Sequence, residues 1–165
     1  MSETLELAPL FALQKDLDEE IARLHDVTYE STFPRRLLAL LVELGEFANE
    51  TRAFKYWSLK GPSEKSVILE EYVDGLHFLL SLGIPLGVRS YSHEIEAKES
   101  DLTEALLHFY AGALHLKSEY TLDAYLPLLG EYLDMLPLFG ASGKEAIDSY
   151  KSKMAENHAR QKNHY

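Results

Sequence analysis

The chain has 165 residues, 46% of them hydrophobic and 26% charged, enough for one compact core. It has no cysteine, which excludes a disulfide framework, a thiolate metal site and a cysteine nucleophile. The 27 acidic against 16 basic residues give a formal net charge of -11, which argues against binding a nucleic acid polymer or an anionic membrane and leaves room only for a local basic patch.

No run of about 18 apolar residues and no basic-flanked apolar leader are present, so a soluble, cytoplasmic protein is expected. Glycine and proline are thinly spread, without linker or repeat, and residues 1–165 read as a single domain. After Pro9, the positions Leu10, Leu13, Leu17, Ile21 and Leu24 recur every three or four residues and predict an amphipathic helix closing near His25 to Tyr29. Thr32 and Pro34 read as the start of a second helix, whose apolar stripe runs through Leu37, Leu38, Leu41, Leu44 and Phe47 to about Phe54 or Lys55.

The run YWSLKGPSEK breaks that period at Gly61 and Pro62, and a third helix is expected from about Ser63 to Leu82, closed by Gly83 and Pro85. The polar stretch from Ser90 to Ser100 shows no clear period. Asp101 to Leu116 predicts a fourth helix and Thr121 to Leu136 a fifth, in which Pro127 demands a late start or a kink. Ser142 or Gly143 opens a last helix that continues almost to the C-terminus. With no series of alternating strands, the chain is expected to be an all-α bundle of five or six helices. The segments LLALLVELGEF and YVDGLHFLLSLG are apolar on more than one stripe, which suggests burial on two sides; a partner subunit or the fourth and fifth helices could supply the second side.

The second helix carries Glu43 and Glu46, the third Glu71 and Asp74. A spacing of three puts both members of a pair on one helix face, about 5 to 6 Å apart at Cβ. Such pairs are common on solvated faces, but these lie among core-facing residues, so meeting helices would crowd four carboxylates together. Hard oxygen ligands of this kind suit Mg²⁺, with Mn²⁺ as a substitute. A di-iron bundle commonly adds Glu-x-x-His pairs, and here no histidine stands three residues after Glu43 or Glu71, although His77 lies three after Asp74. Glu50 and Glu70 could support the cluster or be ordinary solvated acids. Near the other end, Lys153, Asn157 and Arg160 are spaced by four and three and can share a helix face suited to phosphate oxygens; alone, such a basic run is usually a solvated surface.

At these residues the sequence resembles the dimeric, all-α dUTPase family, related to the MazG-like nucleoside triphosphate pyrophosphohydrolases. The family's ExxE and ExxD pairs match Glu43, Glu46, Glu71 and Asp74, within VELGEFANE and EEYVDGLHF. The intervening FKYW, with Trp57, and the C-terminal YKSKMAENHARQKNHY, close to a YxxKxxxNxxRQxxGY pattern, extend the likeness over most of the chain. Met154 and His164 depart from that pattern, where relatives often carry Asn and Gly.

The resemblance implies Mg²⁺-dependent hydrolysis of dUTP to dUMP and pyrophosphate in a homodimer, with Glu43, Glu46, Glu71 and Asp74 as metal ligands and Glu46 handling the attacking water. Lys153, Asn157 and Arg160 would face the triphosphate. Gln14, Trp57 and His77 would form the uracil and deoxyribose pocket, with Phe78 packing near the sugar. Read from residue chemistry alone, Trp57 equally fits a core residue at a helix end, Gln14 a surface residue and His77 a hydrogen-bonded core histidine. Two other functions remain open: a MazG-like enzyme acting on dCTP or several triphosphates, and a non-catalytic helical interaction protein.

Overall fold

A computed structural model describes residues 2–163 as a bundle of six α-helices closed at one end by a small two-stranded sheet. In chain order these are β1 (Glu3–Glu6), α1 (Ala8–His25), α2 (Tyr29–Thr51), α3 (Lys65–Gly83), β2 (Ser92–Ile95), α4 (Leu102–His115), α5 (Leu122–Leu133) and α6 (Gly143–Lys162), with single 3-10 turns at Ile84–Leu86 and Leu136–Phe139. The all-α bundle expected from the sequence is the one observed. No helix among the described residues is long and apolar enough to cross a membrane.

Helix α3 is the central element, packed against α1, α2, α5 and α6. Its sequence KSVILEEYVDGLHFLLSLG is apolar on nearly every side, as a helix surrounded by partners requires. Helix α5 grips it through tyrosines that reach main-chain carbonyls. Tyr72 and Tyr132 each donate to the other's backbone oxygen, at 2.8 and 2.5 Å, and Tyr125 donates to the oxygen of Leu79 at 2.5 Å. A Cβ at Gly75 would collide with the Tyr132 hydroxyl, and one at Gly83 with the Tyr125 ring, so these two glycines let the tyrosines reach the helix backbone. These buried hydroxyls would otherwise lack partners, at a cost of about 1 to 3 kcal/mol each.

Both ends of α2 differ from the sequence expectation. Helix α2 begins a turn before Thr32, because Thr28 makes a reciprocal capping box with Ser31, its Oγ1 accepting from the Ser31 N–H at 3.0 Å and its own N–H donating to Ser31 Oγ at 2.9 Å. Pro34 then lies inside the helix, where it forgoes one backbone bond near an end that is already well capped. Helix α5 starts on the Thr121 cap, as the sequence expectation has it, and likewise holds Pro127 in its interior. Helix α2 stops at Thr51 rather than at Phe54, since Arg52 turns left-handed (φ 58) and its guanidinium holds the following loop, donating to the Lys60 oxygen at 2.9 Å and to Ser58 Oγ at 2.7 Å.

The sheet was not expected. Four residues on each side pair antiparallel, Glu3 with Ile95 and Glu6 with Ser92, and the ladder continues into a bond from Leu7 N–H to the Tyr91 oxygen. Such short strands carry too few alternations to be read as a period. Tertiary contacts hold them: buried Asp134, just past α5, accepts from His93 Nε2 at 2.8 Å and from the Glu96 N–H at 2.9 Å. On the other strand, the Glu3 carboxylate accepts from the N–H groups of Gly143 and Lys144, at 2.7 and 3.0 Å, and so covers the start of α6.

Candidate active site

Helices α2 and α3 form the most extensive contact in the molecule, and it brings the two acidic pairs together. Glu43, Glu46 and Glu71 each offer a carboxylate oxygen within 4.8 Å of the other two. One oxygen of Glu43 and one of Glu71 are buried with no hydrogen-bond partner. Burial, then repulsion from Asp74 and Glu46, pushes Glu43 up to about 8; burial and the same neighbours push Glu71 up to about 7.

Three hard oxygen donors with two orphaned lone-pair sites and mutually raised proton affinities fit a divalent cation such as Mg²⁺ or Mn²⁺. No histidine belongs to this group among the described residues, and His77 Nδ1 is engaged by Gln14, so the donor set does not resemble the Glu-x-x-His type.

Asp74 stands beside the triad rather than within it. Burial raises its carboxyl, and Lys153 counteracts this from 3.4 Å. Lys153 itself is 7% exposed and ion-paired to Glu70 at 3.0 Å and to Glu156 at 3.7 Å, so it knits α6 to the acidic face of α3. Glu70 is thus occupied by Lys153, and Glu50 takes the Ser63 hydroxyl across the α2–α3 connection.

The triad lies between two hollows. One is shallow and bounded by Val42, Gly45, Glu46, Asn49, Phe54 and Glu71. The other is a groove of about 370 Å³ between α1, α2, α3 and α6, within the range of small-molecule sites. Along α3 it is lined by Asp74, His77, Phe78 and Ser81, at i, i+3, i+4 and i+7, a stripe that carries the groove about 10 Å from the acids. Gln14 from α1 and Asn157, Arg160 and Gln161 from α6 complete its walls.

Of the residues singled out in the sequence, Glu43, Asp74, Gln14, His77, Phe78, Asn157 and Arg160 all line this groove, and Glu46 and Glu71 line the hollow on the other side of the acid cluster. Arg160 pairs with Glu156 at 2.7 Å, and Lys153 is engaged by acids beneath. Trp57 is elsewhere: it is 65% exposed, edge-on to Phe54 and Tyr56 in the loop after α2, and does not line the groove. Met154 is buried in the core beneath α6, while His164 and Tyr165, at the end of the terminal motif, lie outside the described residues.

Sequence reasoning missed the end of the groove farthest from the acids, where Asp18, Tyr29, Arg36 and Ser81 meet. The signal was present as spacing: Asp18 lies four residues after Gln14, and Ser81 four after His77, each one helical turn along the face already singled out.

The fold and the paired carboxylates define a class, the all-α nucleoside triphosphate pyrophosphohydrolase bundle. Within it the chain belongs to the dUTPase family, whose model matches residues 6–165. No curated protein matches the chain. Membership supports hydrolase activity of the pyrophosphohydrolase type.

Proposed function

We propose that the protein is a single-domain Mg²⁺-dependent dUTP diphosphatase that converts dUTP and water to dUMP and pyrophosphate. The observation that carries this reading is the meeting of Glu43, Glu46 and Glu71, two of them with orphaned buried oxygens, at one end of a nucleoside-sized groove.

Glu43, Glu46, Glu71 and Asp74 hold Mg²⁺, or Mn²⁺ in its place. When bound, the cation neutralises charge along the triphosphate and lowers the pKa of water. Glu46, the exposed member of the triad, accepts a hydrogen bond from the attacking water and takes its proton as the oxygen adds to the α-phosphorus. Pyrophosphate departs, so no covalent enzyme intermediate is needed. Arg160 and Asn157 face the triphosphate from α6, the guanidinium as a planar fork of donors and the amide as a single donor. Lys153 adds positive charge from beneath and holds Asp74 against the site. Gln14 and His77 contact the nucleoside, and the Phe78 ring packs against the sugar.

A homodimer accounts for what one subunit leaves uncovered. Leu38 and Val42 on α2 and Leu107 and Leu114 on α4 are exposed, and so are Tyr56, Trp57 and Leu59 in the loop beyond α2. Two-fold pairing through α2 and α4 buries these side chains beside the acid cluster and brings Trp57 toward the partner's groove. The test is hydrolysis of dUTP, dCTP, dTTP and UTP with and without Mg²⁺, identifying the monophosphate and pyrophosphate. Metal-dependent release of both products from dUTP is expected. No pyrophosphate release from any of the four would overturn the enzyme reading in favour of an interaction protein.

A further inference from the structure

Helix α6 is buried only as far as Met154. Gly143, Ala146, Tyr150, Lys153 and Met154 recur every three or four residues and face the bundle. Continued at that spacing, the stripe reaches Asn157, His158 and Gln161, and none of the described residues after Met154 is buried. Residues 155–162 thus leave the core with polar side chains where an anchored helix carries apolar ones. The same stretch brings Asn157, Arg160 and Gln161 to the wall of the groove. A helix end without buried apolar contacts opens easily, so polar tethers decide where this wall stands.

Two bonds to α1 act as such tethers. His158 Nδ1 donates to Glu20 Oε2 at 3.1 Å, with the histidine side chain 34% and the glutamate 25% exposed. Nearer the end of both helices, His25 Nε2 donates to Gln161 Oε1 at 3.0 Å. Glu20 Oε1 is buried with no hydrogen-bond partner, so this carboxylate is sunk into the seam between α1 and α6 and leans on His158 for compensation. Deeper in the bundle the seam is closed by Tyr150, whose hydroxyl bonds to the Leu10 oxygen and to Gln14 Oε1 at 3.3 and 2.9 Å. The pairs that Glu156 makes with Lys153 and Arg160 stay within α6 and tie nothing to α1.

We infer that His158 and Glu20 are positioning residues for the polyphosphate: their bond across the α1–α6 seam fixes the end of α6, and with it Asn157 and Arg160, at the groove. The inference rests on the proposed reading of Asn157 and Arg160 as phosphate ligands. Neither His158 nor Glu20 lines the groove, so they act through the helix and not on the ligand.

The consequence falls on binding. With the tether cut, the end of α6 spends part of its time away from the wall, and apparent affinity drops by the fraction of molecules in which it is correctly placed. Bound triphosphate draws Asn157 and Arg160 back, and the acids on α2 and α3 lie outside the seam, so turnover at saturating substrate is preserved.

The experiment compares wild type with His158→Ala, which removes the tether and keeps the helix, since alanine is the strongest helix former. For dUTP hydrolysis, KM rises about fivefold while kcat stays within about twofold. The exchange variant Glu20→His/His158→Glu rebuilds the pair with its members transposed and returns KM to within about twofold of wild type. A second readout needs no turnover: calorimetric titration of inorganic pyrophosphate in the presence of Mg²⁺ shows the same loss of about fivefold in His158→Ala and the same recovery in the exchange variant, with circular dichroism confirming the fold of each. Unchanged KM and pyrophosphate affinity in His158→Ala, a fall in kcat at constant KM, or a folded exchange variant without recovery would each overturn the inference. Hydrolysis of dUTP by wild type alongside any of these leaves the proposed reaction standing. If wild type hydrolyses no nucleotide, the enzyme reading falls and the pyrophosphate titration decides the tether by itself.

Discussion

The two ends of the groove treat buried carboxylates in opposite ways. At the α2–α3 end, Glu43, Glu46 and Glu71 crowd together and leave two oxygens without partners. At the α1–α3 end, Asp18 stands apart from them and receives three hydrogen bonds. The first arrangement is destabilised by its own charge, which an added cation would neutralise. The second is held by the protein's own donors. The two ends therefore differ in whether the fold itself satisfies the acid.

The largest effect expected from breaking this contrast is on catalysis. Glu46→Gln keeps the shape of the triad but cannot take a proton, and pyrophosphate release from dUTP should fall about 10³-fold while the circular dichroism spectrum is unchanged. Retention of most of the activity would move the water-handling role to another acid.

The next effect is on stability, and it has a definite sign with pH. Glu43 and Glu71 have folded-state proton affinities above those of the unfolded chain, so the metal-free protein binds extra protons on folding. The contribution of these two groups to stability is most favourable below the ordinary carboxylate range and declines as pH rises toward their values of about 8 and 7. Thermal melts should show Mg²⁺ raising Tm more at pH 8 than at pH 5.5, and Glu43→Gln flattening the pH dependence of the metal-free protein. A metal effect equal at both pH values would sink this account.

Lys153→Met tests the link between the two helices that flank the site. It leaves Glu70 and Asp74 without their cation, and a loss of about 2 kcal/mol in urea unfolding is expected, between the values typical of exposed and buried pairs. The smallest effect on the isolated fold belongs to Trp57→Ala: an exposed side chain on a loop should change unfolding free energy by less than about 0.5 kcal/mol. In the proposed dimer the same change raises KM for dUTP, and an unaltered KM would remove Trp57 from the site.

The helical architecture was legible because periodicity records which side of a helix is buried, and every predicted helix is present. The acid pairs were legible for the same reason: spacing of three fixes a shared face, and apolar neighbours place that face inward. What escaped depended on partners distant in the chain. Strand β1 exists because residues 92–95 lie beside it, and no short segment shows that. Pro34 looked like a helix start because the cap at Thr28, which offsets the lost bond, lies a turn and a half upstream. Lys153 read as a free phosphate ligand because its bonds to Glu70 and Asp74 join α6 to α3 across the fold. Asp18 was not singled out in the sequence, since its three donors come from α1, α2 and α3 and only the assembled bundle brings them together.

The Glu3 carboxylate bonded to the first amides of α6 has a practical consequence for handling the protein. Trimming the opening residues, or fusing a bulky purification tag directly against them, would loosen a clasp on the helix that carries Asn157 and Arg160 more than 140 positions later. Damage done at the front of the polypeptide would then surface as poor anion recognition near its back, and an assay on a tagged or shortened version could be mistaken for a defect in the groove itself.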